Sequence, residues 1–87
     1  MAKSNHGRLT LRAIEIFVAV IEEGSFSTGA RRLGASTSSV SQQVTNLEAA
    51  LGARLIDRAA RPLALTPAGY VFQRRALAIL DETARAD

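Results

Sequence analysis

Apolar residues recur at helical spacing in several stretches of this chain, and the clearest is STSSVSQQVTNLEAAL, from Ser36 to Leu51. There Val40, Val44, Leu47 and Leu51 follow the i, i+4, i+7, i+11 pattern of one buried face, while Thr37, Ser38, Ser41, Gln42 and Thr45 fall outside it. Ser36 is placed to cap that helix and leave its first-turn amides open to an anion. Upstream, Leu11, Ile14, Phe17, Val18 and Ile21 predict a first helix from Leu11 to about Glu23, capped by Thr10 and stopped by Gly24. Between these two, Gly24-Ser25-Phe26-Ser27 interrupts the pattern. Ser27 is expected to cap a short helix, Thr28 to Leu33, that turns Ala30 and Leu33 inward and Arg31 and Arg32 outward.

After Leu51, Gly52 predicts a stop, and two short apolar runs follow, Leu55-Ile56 and Leu63-Ala64-Leu65. The segment between them, Asp57 to Pro62, reads as the basic tip of a small hairpin that must pack on helices to be stable. Thr66-Pro67 combines a cap residue with proline at the first helical position, so a last helix is expected through about Arg85. The set Leu77, Leu80 and Ala84 recurs toward the chain end with no later element to cover it, which predicts pairing with a second copy. The expected architecture is mainly α: a flexible lead-in (1–9), a winged helix-turn-helix with a two-stranded β-hairpin wing (10–66), and a C-terminal linker and dimerisation helix (67–87).

Eighty-seven residues with 47% apolar content allow one small folded domain. The net charge of +3 says little until its distribution is read: between Gly24 and Arg75 there are seven arginines against two acids, Glu48 and Asp57. Arginine is the cation whose planar fork suits phosphate and base edges. Polar helix faces beside arginines suit double-stranded DNA, with the second helix of the pair in a major groove and the hairpin tip on a minor groove or on phosphates. The absence of cysteine excludes disulfides and thiolate metal sites, and His6 stands alone, so neither metal nor cofactor is expected. Thirteen Ser and Thr hydroxyls lack a positioned histidine base, and Glu15, Glu22, Glu23 and Glu48 are read as solvated helix surface, so no enzyme is expected. No apolar run is long enough to cross a bilayer, and a cytoplasmic, nucleoid-associated protein is expected.

The combination of Phe17-Val18-Ala19-Val20, Glu23-Gly24-Ser25-Phe26-Ser27, Ala30, Leu33, Ser36, Ser41-Gln42-Gln43-Val44, Leu47-Glu48, Leu51-Gly52, Leu55-Ile56, Arg58, Leu65-Thr66 and Ala68-Gly69 resembles the N-terminal winged helix-turn-helix domain of LysR-type transcriptional regulators. The resemblance runs from Leu9 to about Leu80. It implies a domain that binds a partly palindromic operator as a dimer through the helix after the wing. It also implies that a small-molecule effector would act only through a domain absent from these residues. Several positions depart from the family pattern: Thr37, Ser38 and Ser39 stand where it has Gln, Pro and a small residue, Gln42 where Arg or Lys is common, Thr45 where a basic residue is common, Gly29 for the usual Ala and Ile56 for the usual Phe. A recognition face without cations should depend more on hydroxyl and amide hydrogen bonds.

The expected base-reading residues are therefore Thr37, Ser38, Ser41 and Gln42. Ser36, Arg31, Arg32, Arg54, Arg58 and Arg61 are expected on the DNA backbone or at the wing, and Leu77, Leu80 and Ala84 in the dimer. The alternative of a different class is a protein-interaction module that heterodimerises with a full-length regulator through its last helix.

Overall fold

Four hydroxyls start the four helices found among the described residues. Thr10 accepts from the Ala13 amide at 3.0 Å, Ser25 from Thr28 at 3.0 Å, Ser36 from Ser39 at 3.1 Å and Thr66 from Gly69 at 3.0 Å. Each occupies one of the first-turn amides that a helix cannot bond internally. The resulting order in this computed structural model, which describes residues 9–86 and side chains as far as residue 82, is α1 (Leu11–Glu23), α2 (Phe26–Leu33), α3 (Thr37–Leu51), β1 (Ile56–Asp57), β2 (Ala64–Leu65) and α4 (Pro67–Ala86). Expectations for His6 and most of the lead-in, and for the side chain of Ala84, lie outside the described residues.

Helix α1 is the centre of the packing and meets α2, α3 and α4. Neighbours on so many sides bury Ala13, Ile14, Ile16, Phe17, Val18, Ala19 and Val20, far more than a single stripe. Leu11, expected in that stripe, is instead exposed at the first turn, and Ile21 only borders the core. Gly24 ends α1 in the left-handed conformation (φ 79°). The next helix then begins sooner than expected: Ser25, extended at φ −157°, is its cap, and Ser27 lies inside its first turn. Phe26 thereby becomes helical and packs against the core.

Helix α3 buries Val40, Val44 and Leu47 as the periodicity requires, but Leu51 is 39% exposed in the last turn, where Gly52 redirects the chain. The hairpin is antiparallel, with Ile56 opposite Leu65 and Asp57 opposite Ala64, so that β1 is shifted one residue beyond the first apolar run and β2 is one residue shorter than the second. Leu55 and Leu63 are buried core residues just outside it. Leu63 donates its amide to the Gly24 carbonyl at 2.9 Å, which fastens the returning strand to the α1–α2 turn. On α4, Gly69, Phe72, Ala76 and Leu80 face inward at i, i+3, i+7 and i+11. Phe72 meets Phe17 edge to face with centroids 5.1 Å apart, within the favoured range for aromatic pairs. A side chain at Gly69 would collide with the Leu55 carbonyl oxygen, so glycine is what lets α4 lie this close to the wing. Leu80 thus packs on its own core, whereas Leu77 is 42% exposed with Tyr70, Val71 and Ile79.

Candidate nucleic-acid interface

With Val40, Val44 and Leu47 committed to the core, α3 presents its opposite side outward. Thr37, Ser38, Ser39 and Gln42 are exposed there, and Ser36, whose hydroxyl holds the Ser39 amide, is exposed at the helix start. The Gln42 Nε2 donates to Asn46 Oδ1 at 3.0 Å, an i, i+4 amide pair on the exposed face.

Ser41 and Thr45 are differently placed. Arg58, at the hairpin turn, reaches back to α3: Nη1 donates to Ser41 Oγ at 3.1 Å and Nη2 to Thr45 Oγ1 at 3.0 Å. The Thr45 hydroxyl also donates to the Ser41 carbonyl at 3.1 Å. The Arg58 guanidinium carbon lies 4.8 Å from the centroid of the Phe26 ring, a cation–π contact, and Nη2 is 3.6 Å from Glu48 Oε1. Its buried Nε has no hydrogen-bond partner. The arginine expected at the wing surface therefore spans α3, α2 and the wing.

Glu48, read from the sequence as solvated, is only 8% exposed. Its Oε2 accepts from the amides of Leu55 at 2.8 Å and Ile56 at 3.2 Å, satisfying backbone donors that no strand partner reaches. The other carboxylate oxygen faces Arg58, so one side chain bolts the C-terminal half of α3 to the wing and orients the arginine.

Of the other arginines, Arg31 and Arg54 are exposed. Arg61 is exposed at the wing tip, where Nη1 donates to the carbonyls of Arg58 at 2.6 Å and Ala60 at 2.8 Å. Asp57 Oδ1 closes the same turn by accepting the Ala59 amide at 3.0 Å. Arg32 pairs with Glu22 at 2.9 Å and Glu23 at 3.3 Å. These hydrogen bonds, the one to Glu22 foremost, raise its pKa above the ordinary arginine value, and its charge is largely balanced locally. The acidic end of α1, unfavourable to the helix dipole, is thus complemented by a cation from α2.

The structure brings Thr37, Ser38, Gln42, Arg54 and Arg61 to the surface around α3 and the wing, and it engages Ser41, Arg32 and Arg58 within the protein. Sequence reasoning missed Asn46, Glu48 and Phe26. The Gln42–Asn46 spacing was a usable signal; nothing local linked Glu48 to the amides seven and eight residues on. Among the described residues no cluster of three or more His, Asp or Glu could hold a metal, and no helix is long and apolar enough to cross a membrane.

Residues 11–70 match the model of the bacterial regulatory helix-turn-helix proteins of the lysR family. The chain is 44% identical over 85 residues to the HTH-type transcriptional regulator CrgA of Neisseria meningitidis, covering 98% of this chain and 27% of that protein. It therefore spans about a quarter of the length of that relative. Among solved structures, the BenM DNA-binding domain in complex with benA site 1 DNA superposes with a TM-score of 0.87 at 37% identity, over 90% of this chain and 88% of that one. The CbnR DNA-binding domain in complex with DNA gives 0.83 at 36% identity, over 90% of both chains.

Proposed function

The chain belongs to the lysR family of bacterial helix-turn-helix regulators, and from that premise we propose that it binds double-stranded DNA sequence-specifically as the operator-recognition domain of a transcriptional regulator. The observation that carries this is the division of α3: one side is fully buried through Val40, Val44 and Leu47, and the other exposes Thr37, Ser38 and Gln42, with Arg54 and Arg61 exposed in the segment that follows. A helix so held can enter a major groove without distorting its core, while arginines at its flank supply the phosphate attraction that short neutral side chains lack. Ser36 and the first-turn amides would meet a phosphate, and Arg31 would extend the backbone contacts.

Arg61 is exposed on the hairpin turn whereas Arg58 is drawn back to α3, which supports Arg61 rather than Arg58 as the residue for the minor groove or adjacent phosphates. Two copies would pair through α4, whose exposed Tyr70, Val71, Leu77 and Ile79 give an apolar surface suited to a partner helix. Fluorescence anisotropy with a promoter-derived duplex and an unrelated duplex at two salt concentrations tests the proposal. A preference for the promoter duplex, and an affinity that falls steeply with salt for both, are expected. Equal, salt-independent affinity would leave only the protein-interaction alternative.

A further inference from the structure

We infer that the Gln42–Asn46 amide pair makes this chain select adenine at one major-groove position of each half-site, with Gln42 reading the base and Asn46 positioning it. The inference rests on the DNA-binding proposal above. A glutamine amide offers two N–H donors and one carbonyl acceptor. Donation of one N–H to Asn46 Oδ1 at 3.0 Å leaves one N–H and the carbonyl of this exposed amide for a further partner. In a major groove only adenine presents an acceptor, N7, next to a donor, the N6 amino group, and so satisfies both. Guanine offers two acceptors, N7 and O6, and would set O6 against the Gln42 carbonyl. Thymine offers O4 and a methyl group, and cytosine an amino donor alone.

Two polar neighbours of Gln42 on α3, one residue before it and three after, are already engaged. The Ser41 and Thr45 hydroxyls accept from Arg58, and Thr45 spends its proton on the Ser41 carbonyl, so neither rotates freely toward a base edge. Gln42 and Asn46 are both exposed, which keeps their substitution separate from folding. The terminal amide torsion of glutamine is otherwise broad. Without Asn46, the Gln42 amide can turn over and present its donor and acceptor in the reverse order, which weakens its discrimination among bases.

The test selects binding duplexes from a randomised pool with the wild-type chain, then measures anisotropy on the selected site, on the same site with adenine changed to guanine, and on the site with 7-deazaadenine, which lacks the N7 acceptor. Wild type should select adenine and lose about 5- to 150-fold on the change to guanine. The 7-deazaadenine site should bind wild type more weakly and leave Gln42→Ala unaffected. Gln42→Arg should move the preference at that position to guanine. Asn46→Ala should flatten the adenine preference. Asn46→Asp retains the acceptor, and should keep the preference while weakening all duplexes alike. Retention of the adenine preference by Gln42→Ala, or selection of guanine by wild type where Gln42→Ala selects nothing, overturns the inference while the DNA-binding proposal stands. A pool from which wild type enriches no sequence overturns both.

Discussion

Replacement of Glu48 tests whether the wing and the recognition helix are held as one unit. Glu48→Ala leaves the buried amides of Leu55 and Ile56 without an acceptor. Each such orphan costs about 1 to 3 kcal/mol. Loss of the carboxylate 3.6 Å from Arg58 adds little, because that arginine side chain is 30% exposed and the pair is partly screened. The two orphans sum to about 2 to 6 kcal/mol, and the cost of breaking a buried charged network from one side, about 3 to 5 kcal/mol, lies inside that span and is the value expected. An 87-residue domain of ordinary stability has roughly 4 to 13 kcal/mol in all. The melting temperature should therefore fall by roughly 12 to 40 °C. Glu48→Gln keeps an acceptor oxygen but not the charge, and should cost about 1 to 2 kcal/mol. Urea unfolding followed by circular dichroism gives the stabilities, and hydrogen exchange at the Leu55 and Ile56 amides gives the local effect. A Glu48→Ala variant within 1 kcal/mol of wild type, or a Gln variant as costly as Ala, would refute the reasoning.

Gly69→Ala pushes a methyl group into the Leu55 carbonyl and should cost about 1 to 3 kcal/mol in urea unfolding; an unchanged midpoint would show that α4 shifts freely. Arg61→Ala should weaken specific and unrelated duplexes alike and make the salt slope shallower by about one unit, whereas a loss confined to one operator would put Arg61 among the base readers. Glu22→Gln with Glu23→Gln frees Arg32 from its two partners and should tighten binding to any duplex, most at low salt; unchanged affinity would place Arg32 outside the DNA field. Leu77→Asp should dissociate a dimer in analytical ultracentrifugation without unfolding the monomer, and equal dimer affinity in both proteins would exclude Leu77 from the interface.

The helices were legible wherever burial has one direction. Val40, Val44 and Leu47 share one face of α3, and periodicity finds them. It overreached at helix ends, because Leu11 and Leu51 keep the pattern but stand beyond the neighbouring elements that could cover them. The cap of α2 was displaced because Ser25 and Ser27 are chemically equivalent, and only the left-handed Gly24 just before decides between them. Leu80 belongs to two helical lines in the sequence, one with Leu77 and Ala84 and one with Gly69, Phe72 and Ala76, and only the fold shows that the second faces inward. The residues proposed for the groove were readable as a polar face. The bonds from Arg58 to Ser41 and Thr45, and those from Glu48 to the wing amides, join residues apart in sequence that only the folded chain brings together.

The wing is fastened on two sides, to α3 through Glu48 and Arg58 and to the α1–α2 turn through the Leu63 amide on the Gly24 carbonyl. On the proposed function, such a domain would meet DNA like a gauge with fixed jaws: the spacing between a groove reader on α3 and the wing tip would be set before contact. Any mismatch with a particular operator must then be absorbed by the duplex, whose narrowing or bending has a sequence-dependent energy. Base pairs that touch no side chain, lying between the two contacts, should influence affinity through their stiffness. Exchanging flexible TA steps for rigid A-tracts in that interval should change binding at constant contacts, and loosening the wing with Glu48→Gln should diminish that dependence.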